Sequence, residues 1–405
     1  MLKTFEQFAK NVSFKPKLRT IDNFAFKLHY KITFWSLLVS TILVSSQQYI
    51  GEHIRCISDK GVANNVLNTY CFFTTTFTVV RHLDPLHVDD IAHAGVGPLV
   101  GDEKVVHHAY YQWVPFVLFG QAIMFYLPHL FWRRLEGGRI NALASILENT
   151  FLVSETKEVK VNNTLTVITE EDREKKISQV LKAFRERLHL NRSWAVYLVL
   201  CEILNGVNVI AQLFITNAFL GGAFMKLGTD LTQADPDHDI NPLDAVFPKV
   251  TKCTFQKFGP SGTIQKHDAL CVMALNVVNE KIYTFLWFWF IILGVVTALA
   301  LIWRLLTFLL HKRSTSFNNA LFSSLVPVPI DKYDLPIIMD ACFYSDWLFL
   351  YYLGSNIDGF VFKKLLEALA DEVDESGWKQ KLTSSTLSTN TDIGDVEEKA
   401  NLVSL

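Results

Sequence analysis

Apolar residues gather in long blocks along this chain instead of alternating with polar ones. Four blocks reach the roughly 20 apolar residues that a helix needs to cross a bilayer. They cover residues 32–49 (ITFWSLLVSTILVSSQQY), 110–132 (YYQWVPFVLFGQAIMFYLPHLFW), 194–214 (WAVYLVLCEILNGVNVIAQLF) and 283–303 (YTFLWFWFIILGVVTALALIW). The fourth has no polar face, which lipid or a very large core tolerates. The pattern therefore predicts a mainly α fold: a subunit with four transmembrane helices.

Between the spans lie segments of other character. Residues 1–31 are polar and basic, too polar for the apolar stretch of a signal peptide, so the first span is expected to act as a signal-anchor. The loop 133–193 is charged and reads as helical. Its stretch EEDREKKISQVLKAFRERLHL repeats Ile177, Val180, Leu181, Phe184 and Leu188 at helical spacing. Residues 304–370 have similar periodicity from Leu335 onward, and together these two regions predict a cytoplasmic helical dome. The tail 371–405 is rich in acids, Ser and Thr, and is expected to be disordered. Its hydroxyls are candidate phosphorylation sites, and its Val403-Ser404-Leu405 end weakly resembles a PDZ ligand.

Composition adds little to this. Of 405 residues, 50% are hydrophobic and 19% charged, and the net charge of −2 points away from nucleic acid. The placement of basic residues is more useful. Arg133, Arg134 and Arg139 follow the second block, Arg185, Arg187 and Arg192 precede the third, and Arg304, Lys312 and Arg313 follow the fourth. By the positive-inside rule both termini and the 133–193 loop are cytoplasmic, and loops 50–109 and 215–282 are extracellular.

The cysteines fit that topology. Cys56 and Cys71 lie in the first outside loop and Cys253 and Cys271 in the second, which reads as two disulfides on the oxidising side. Four cysteines allow three connectivities, and the sequence does not choose among them. The glycosylation sequons at Asn11, Asn162 and Asn191 all fall in segments expected to be cytoplasmic. Glycan-free outside loops suit a face that docks against another protein, or reflect chance.

At the start of the second span stand Tyr110, Tyr111, Gln112, Trp113 and Val114. This YYQWV string resembles the signature of the innexins, the invertebrate gap-junction proteins. TKCTFQKFGPSG around Cys253, LGGAFMKLGTD after the third span and DWLFLYYLGSNID near Asp346 are similar to insect innexins, and the resemblance covers residues 15–365. It implies a channel: a homo- or hetero-oligomeric ring of about eight innexin subunits, set in membrane lipid at the plasma membrane. Its outside loops dock with the hemichannel of an adjacent cell, and ions and small metabolites pass. It implies no catalysis and no cofactor. It pairs the cysteines first with fourth and second with third, here Cys56 with Cys271 and Cys71 with Cys253. That would tie both loops into a small disulfide-bonded extracellular region containing some β-strand. It also places the first helix along the pore and folds part of residues 1–31 into the pore mouth, where Lys residues would bias selectivity.

Individual residues sharpen these expectations. Tyr and Trp of the signature suit the membrane interface, and Gln112 can bond a neighbouring backbone. Pro115 and Pro128 predict kinks in the second helix, as a hinge or as a fixed bend. Glu202, Asn205, Asn208 and Gln212 share one face of the third helix, either lining the pore or bonding to neighbouring helices. Thr33, Ser36 and Ser40 form a weaker stripe on the first, which the resemblance would turn toward pore water. His82, Asp84, His87, Asp89, Asp90 and His93 mix metal-ligand types without the spacing of a zinc or EF-hand site, as a solvated loop does. No metal is implied. One intramembrane acid makes no catalytic set, so an enzyme or receptor is disfavoured. The readings that remain are a junctional channel and a hemichannel of the same architecture that works undocked.

Overall fold

The computed structural model describes residues 21–51, 54–58, 61–83, 93–147, 153–154, 159–161, 165–186, 191–233, 241–331 and 333–375. Four helices are long and apolar enough to cross a membrane: α1 Phe24–Tyr49, α3 Val114–Glu136, α6 Arg192–Phe219 and α9 Ala274–Leu310. Each extends beyond the apolar block that announced it, because polar residues at the helix ends are held by the protein itself. At α1 the Asn23 side chain caps the helix by accepting the Phe26 N–H at 2.7 Å. At α9 the early Asn276 donates to the Pro248 carbonyl at 2.8 Å. Only 22% of the apolar window of α9 is buried within the subunit, which leaves its Ile, Leu and Phe side chains to lipid or other chains.

The described residues form two compact units. The first combines Asn23–Phe131 with Cys201–Leu301. It holds a five-stranded sheet of β1 Arg55–Ser58, β2 Thr76–Val79, β3 Val105–His108, β7 Val250–Phe258 and β8 Ile264–Val272, in the order β1-β8-β7-β2-β3. Strands from the two halves of the sequence interleave. The β7–β8 hairpin forms the centre, paired from Val250↔Val272 to Phe258↔Ile264, and β1 and β2 flank it through Cys56↔Cys271 and Phe77↔Lys252. Helix α2, Asn64–Thr74, packs against this sheet, and short helices α7 Phe224–Gln233 and α8 Pro242–Val246 follow α6. The LGGAFMKLGTD stretch has a local reason. Gly221 and Gly222, both at positive φ, turn the chain out of α6, and Gly228 lies so close to Trp287 of α9 that a Cβ would sit 2.2 Å from its ring.

The second unit combines Trp132–Leu200 with the chain from Ile302 onward. It contains α4 Arg139–Ile146, α5 Glu170–Glu186, α10 Thr315–Ser323, α11 Asp334–Ala341, α12 Tyr344–Gly354 and α13 Gly359–Glu375. Helix α12 is buried almost all round, so DWLFLYYLG shows no polar face. Trp347, Phe349, Phe322 and Phe362 fill the core, with Trp194 against Phe349 at 5.3 Å between ring centres. Ile177, Val180 and Phe184 of α5 are buried, as their spacing requires. The expected all-helical loop is corrected in one place: between α4 and α5 the chain forms a small sheet, β4 Val153–Ser154, β5 Val159–Val161 and β6 Leu165–Thr169, in the order β4-β6-β5. The Val-Lys-Val and Leu-Thr-Val-Ile-Thr runs are β-branched and too short to nucleate a helix.

Candidate functional site

The chemistry-bearing residues of the first unit fall into two groups. One is a disulfide-tied rim. Cys56 bonds Cys271 and Cys71 bonds Cys253, joining positions 215 and 182 residues apart. This is one of the three connectivities open to four cysteines, and it is the one the family resemblance implies. Among the described residues, Cys56, Cys71 and Cys271 are also the one His, Cys, Asp or Glu group compact enough for a metal, with sulfurs within 4.8 Å of each other. All three are committed to the two bonds. Each disulfide joins a loop 50–109 cysteine to a loop 215–282 cysteine, so the rim is closed by hydrogen-bonded strands and by covalent bonds at once. Reduced cysteines Cys201 and Cys342 are both buried, the first in α6 and the second after α11.

The YYQWV residues hold this rim to a membrane helix. The Tyr111 hydroxyl donates to the Phe72 carbonyl at 3.1 Å, and the Gln112 amide donates to the same carbonyl at 2.5 Å. Phe72 lies in the last turn of α2, where carbonyls have no partner within their own helix. Cys71, whose disulfide reaches β7, is its neighbour. Tyr110 packs edge-on against Phe247 at 5.9 Å. Val114 and Tyr111 are fully buried, whereas Trp113 is 60% exposed. The expectation that both tyrosines sit in headgroups with wet tips is thus corrected for Tyr111: burial forces its hydroxyl onto a carbonyl. Trp113 alone keeps an interfacial exposure. Residue Thr75, just past α2, has φ +130°, a strained value for a side chain with a β-branch.

Pro115 is likewise corrected. It occupies the second position of α3, where its N–H would have no helical partner, so it starts the helix instead of kinking it. Pro128 is interior to α3.

The edge of the sheet carries a titratable group. His108 is 5% exposed, and its Nε2 lies 2.8 Å from the Thr78 hydroxyl. Burial, with a smaller push from His107, lowers its pKa to about 4. At the base of the rim, Lys249 bridges Asp244 at 2.9 Å and Glu280 at 3.2 Å, and these carboxylates, Asp244 foremost, raise its pKa. Of the mixed His and Asp series, Asp84, His87, Asp89 and Asp90 lie outside the described residues.

The second group is a buried polar layer among α1, α3, α6 and α9. Glu202, Asn205, Asn208 and Gln212 are all buried within the subunit, together with Thr216. Glu202 accepts from Asn23 at 2.8 Å, Gln212 donates to Asn208 at 3.2 Å, and Gln121 of α3 donates to Thr216 at 2.8 Å. Within the subunit the stripe is thus covered, with Glu202 bonded to the start of α1 and Gln212 to Asn208 along α6 itself. On α1, Thr33 and Ser40 are buried, whereas Ser36 is half-buried. Thr33 donates to Leu28 O at 3.0 Å and accepts from Trp289 Nε1 at 2.9 Å. Within the subunit, Thr33 and Ser40 are thus covered by its other residues and Ser36 only in part. The face of α1 left uncovered by the subunit carries Ile32, Trp35, Val39 and Ile42. A π turn, Leu28–Thr33, sets this rotation. Reading the sequence also missed His29, fully buried, with Nε2 2.9 Å from Thr297 Oγ1 of α9. Its only signal is a polar ring inside FAFKLHYK, just before an apolar block.

Comparison with known proteins agrees with this architecture. The family model for Innexin matches residues 22–373. Innexin inx7 of Drosophila melanogaster is 44% identical over 92% of this chain and 85% of its own length. Innexin inx2 of Drosophila melanogaster is 41% identical over 87% of this chain and 91% of its own, and innexin inx2 of Schistocerca americana is 40% identical over 87% and 94%.

Proposed function

The chain belongs to the innexin family, and from that premise we propose that it is a structural subunit of gap-junction channels that pass ions and small metabolites between adjacent cells. The family forms channels and is not enzymatic. Its members assemble into oligomers with other innexins at the plasma membrane, and four apolar helices suit a multi-pass subunit there. Within that frame, loops 50–109 and 215–282 face the extracellular space, both termini and the loop 133–193 face the cytoplasm, and the ring holds about eight subunits.

The observation that carries this reading is the rim: two disulfides and an interleaved sheet make one body from two loops. Docking between cells needs such a body, because flexible loops would lose conformational entropy on every contact. Disulfides also persist on the oxidising face of the membrane and not in the cytosol, which supports the orientation.

The test is electrical. Paired cells expressing only this chain are expected to conduct, and Cys71→Ser is expected to abolish that conductance with the protein still at the surface. Conductance in single cells without coupling between pairs would instead establish an undocked hemichannel. Absence of current in both settings would refute a self-sufficient channel.

A further inference from the structure

Among α1, α6 and α9 lies a small cavity whose lining includes His29, Asn23, Glu202, Asn205 and Thr297. Its volume is about 10 Å³, the room that one water molecule occupies by the same measure. Two polar atoms on this lining are buried without a hydrogen-bond partner, His29 Nδ1 and Asn205 Oδ1. Buried polar atoms left unpaired are destabilising and rare, so two at one cavity call for a shared partner.

The surrounding bonds fix what that partner must be. The Thr297 hydroxyl donates its single proton to the Leu293 carbonyl at 2.6 Å. Toward His29 it can only accept, so the imidazole carries its proton on Nε2. His29 Nδ1 is then a lone pair. Asn205 Oδ1 is an acceptor as well, and Glu202, also at the cavity, contributes a carboxylate. The two unpaired atoms, His29 Nδ1 and Asn205 Oδ1, both need a donor, and water brings two hydrogens. The π turn Leu28–Thr33 begins one residue before His29 and turns the ring inward. Such one-turn bulges recur at functional positions in helices.

We propose that this cavity is a binding site for one water molecule, which donates its two hydrogens to His29 Nδ1 and Asn205 Oδ1 and fastens the start of α1 to α6. The ligand class is a neutral hydrogen-bond donor the size of water. With the direct His29–Thr297 bond, it makes the imidazole a hub joining α1 to both α6 and α9. The site stands independently of whether the channel docks.

The direct test is a high-resolution density map of the assembled, unmodified channel. The expected result is a single peak about 2.7–3.2 Å from both His29 Nδ1 and Asn205 Oδ1. No peak there, in a map that resolves other buried waters, overturns the proposal. So does a peak ringed by six or more oxygens at about 2.4 Å, which marks a calcium-like cation. Thermal unfolding of His29→Leu, Asn205→Leu and the double variant gives a second reading. With a shared water, the first change already disrupts the bridge, and the melting shift of the double variant falls well short of the sum of the singles. Additive shifts overturn the bridge. Should the variants fail to assemble, the map of the unmodified channel still decides.

Discussion

The rim of the first unit and the helical second unit are stabilised, each within itself, by different means. The rim is a small sheet that depends on two covalent bonds and on a carbonyl capped by Tyr111 and Gln112. The helical unit has no disulfide. It relies on an aromatic core around Trp347, Trp194 and Phe349, with Trp347 Nε1 donating to Asn318 at 3.0 Å and a buried Asp346 accepting from Asn191 at 3.3 Å. The difference follows solvent chemistry. The rim is small, so covalent bonds add to what its burial supplies, and its proposed compartment permits disulfides. The helical unit, which the proposed topology puts in a reducing compartment, relies instead on burial and on pairing its interior polar groups.

That contrast can be broken at its strongest points first. Losing either disulfide, as in Cys56→Ser or Cys71→Ser, should cost the rim about 2–5 kcal/mol. Intercellular conductance should vanish, while protease resistance of the helical unit is unchanged. A rim that stays protease-resistant would show that the strands suffice alone. Trp347→Ala should cost the helical unit about 3–5 kcal/mol through an unfilled cavity, and should be read as lost assembly in both oxidising and reducing buffers.

Acid should act on the rim next. The pKa of His108 is lowered to about 4 in the folded rim, against about 6.5 when unfolded. Between those values the unfolded chain binds more protons, so stability is full above about pH 6.5 and falls as pH drops toward 4. From pH 7 to 5 the loss should be about 2 kcal/mol, seen as faster amide exchange in β2 and β3. His108→Asn should flatten that pH dependence. A smaller effect is expected for Tyr111→Phe, which removes a donor to the end of α2 and should cost about 1 kcal/mol. Its readout is faster exchange at the C-terminal turn of α2. Smallest is Arg185→Ala. Its ion pair with Glu372 is at 2.5 Å, but the side chains are 49% and 23% exposed. The loss should stay under about 0.5 kcal/mol in the melting of the helical unit.

The four long helices were legible because lipid imposes a length that few soluble helices match. Their ends were not, since Asn23, His29 and Asn276 are tolerated inside through partners distant in sequence. Glu202 shows the same limit: it was visible as a costly acid, but its partner Asn23 is 179 positions distant. On α1 a π turn shifts the helical phase before Thr33, which helical spacing in the sequence does not show. The sheet between α4 and α5 escaped notice beneath the high charge of its neighbours. The rim cysteines were legible as a set, while their pairing needed the resemblance or the strand register.

The long reach of the disulfides has a consequence for biogenesis. When Cys56 and Cys71 emerge from the ribosome, their partners are 215 and 182 residues from synthesis. At about 5–20 residues per second, both thiols wait roughly 10–40 s, next to each other, with only one another to oxidise against. The nascent loop is thus exposed to a premature Cys56–Cys71 bond that must be reshuffled once Cys253 and Cys271 have followed. In the proposed topology a finished rim is therefore a chemical record that loops 50–109 and 215–282 have reached the same face of the membrane, available to quality control before any subunit joins a ring.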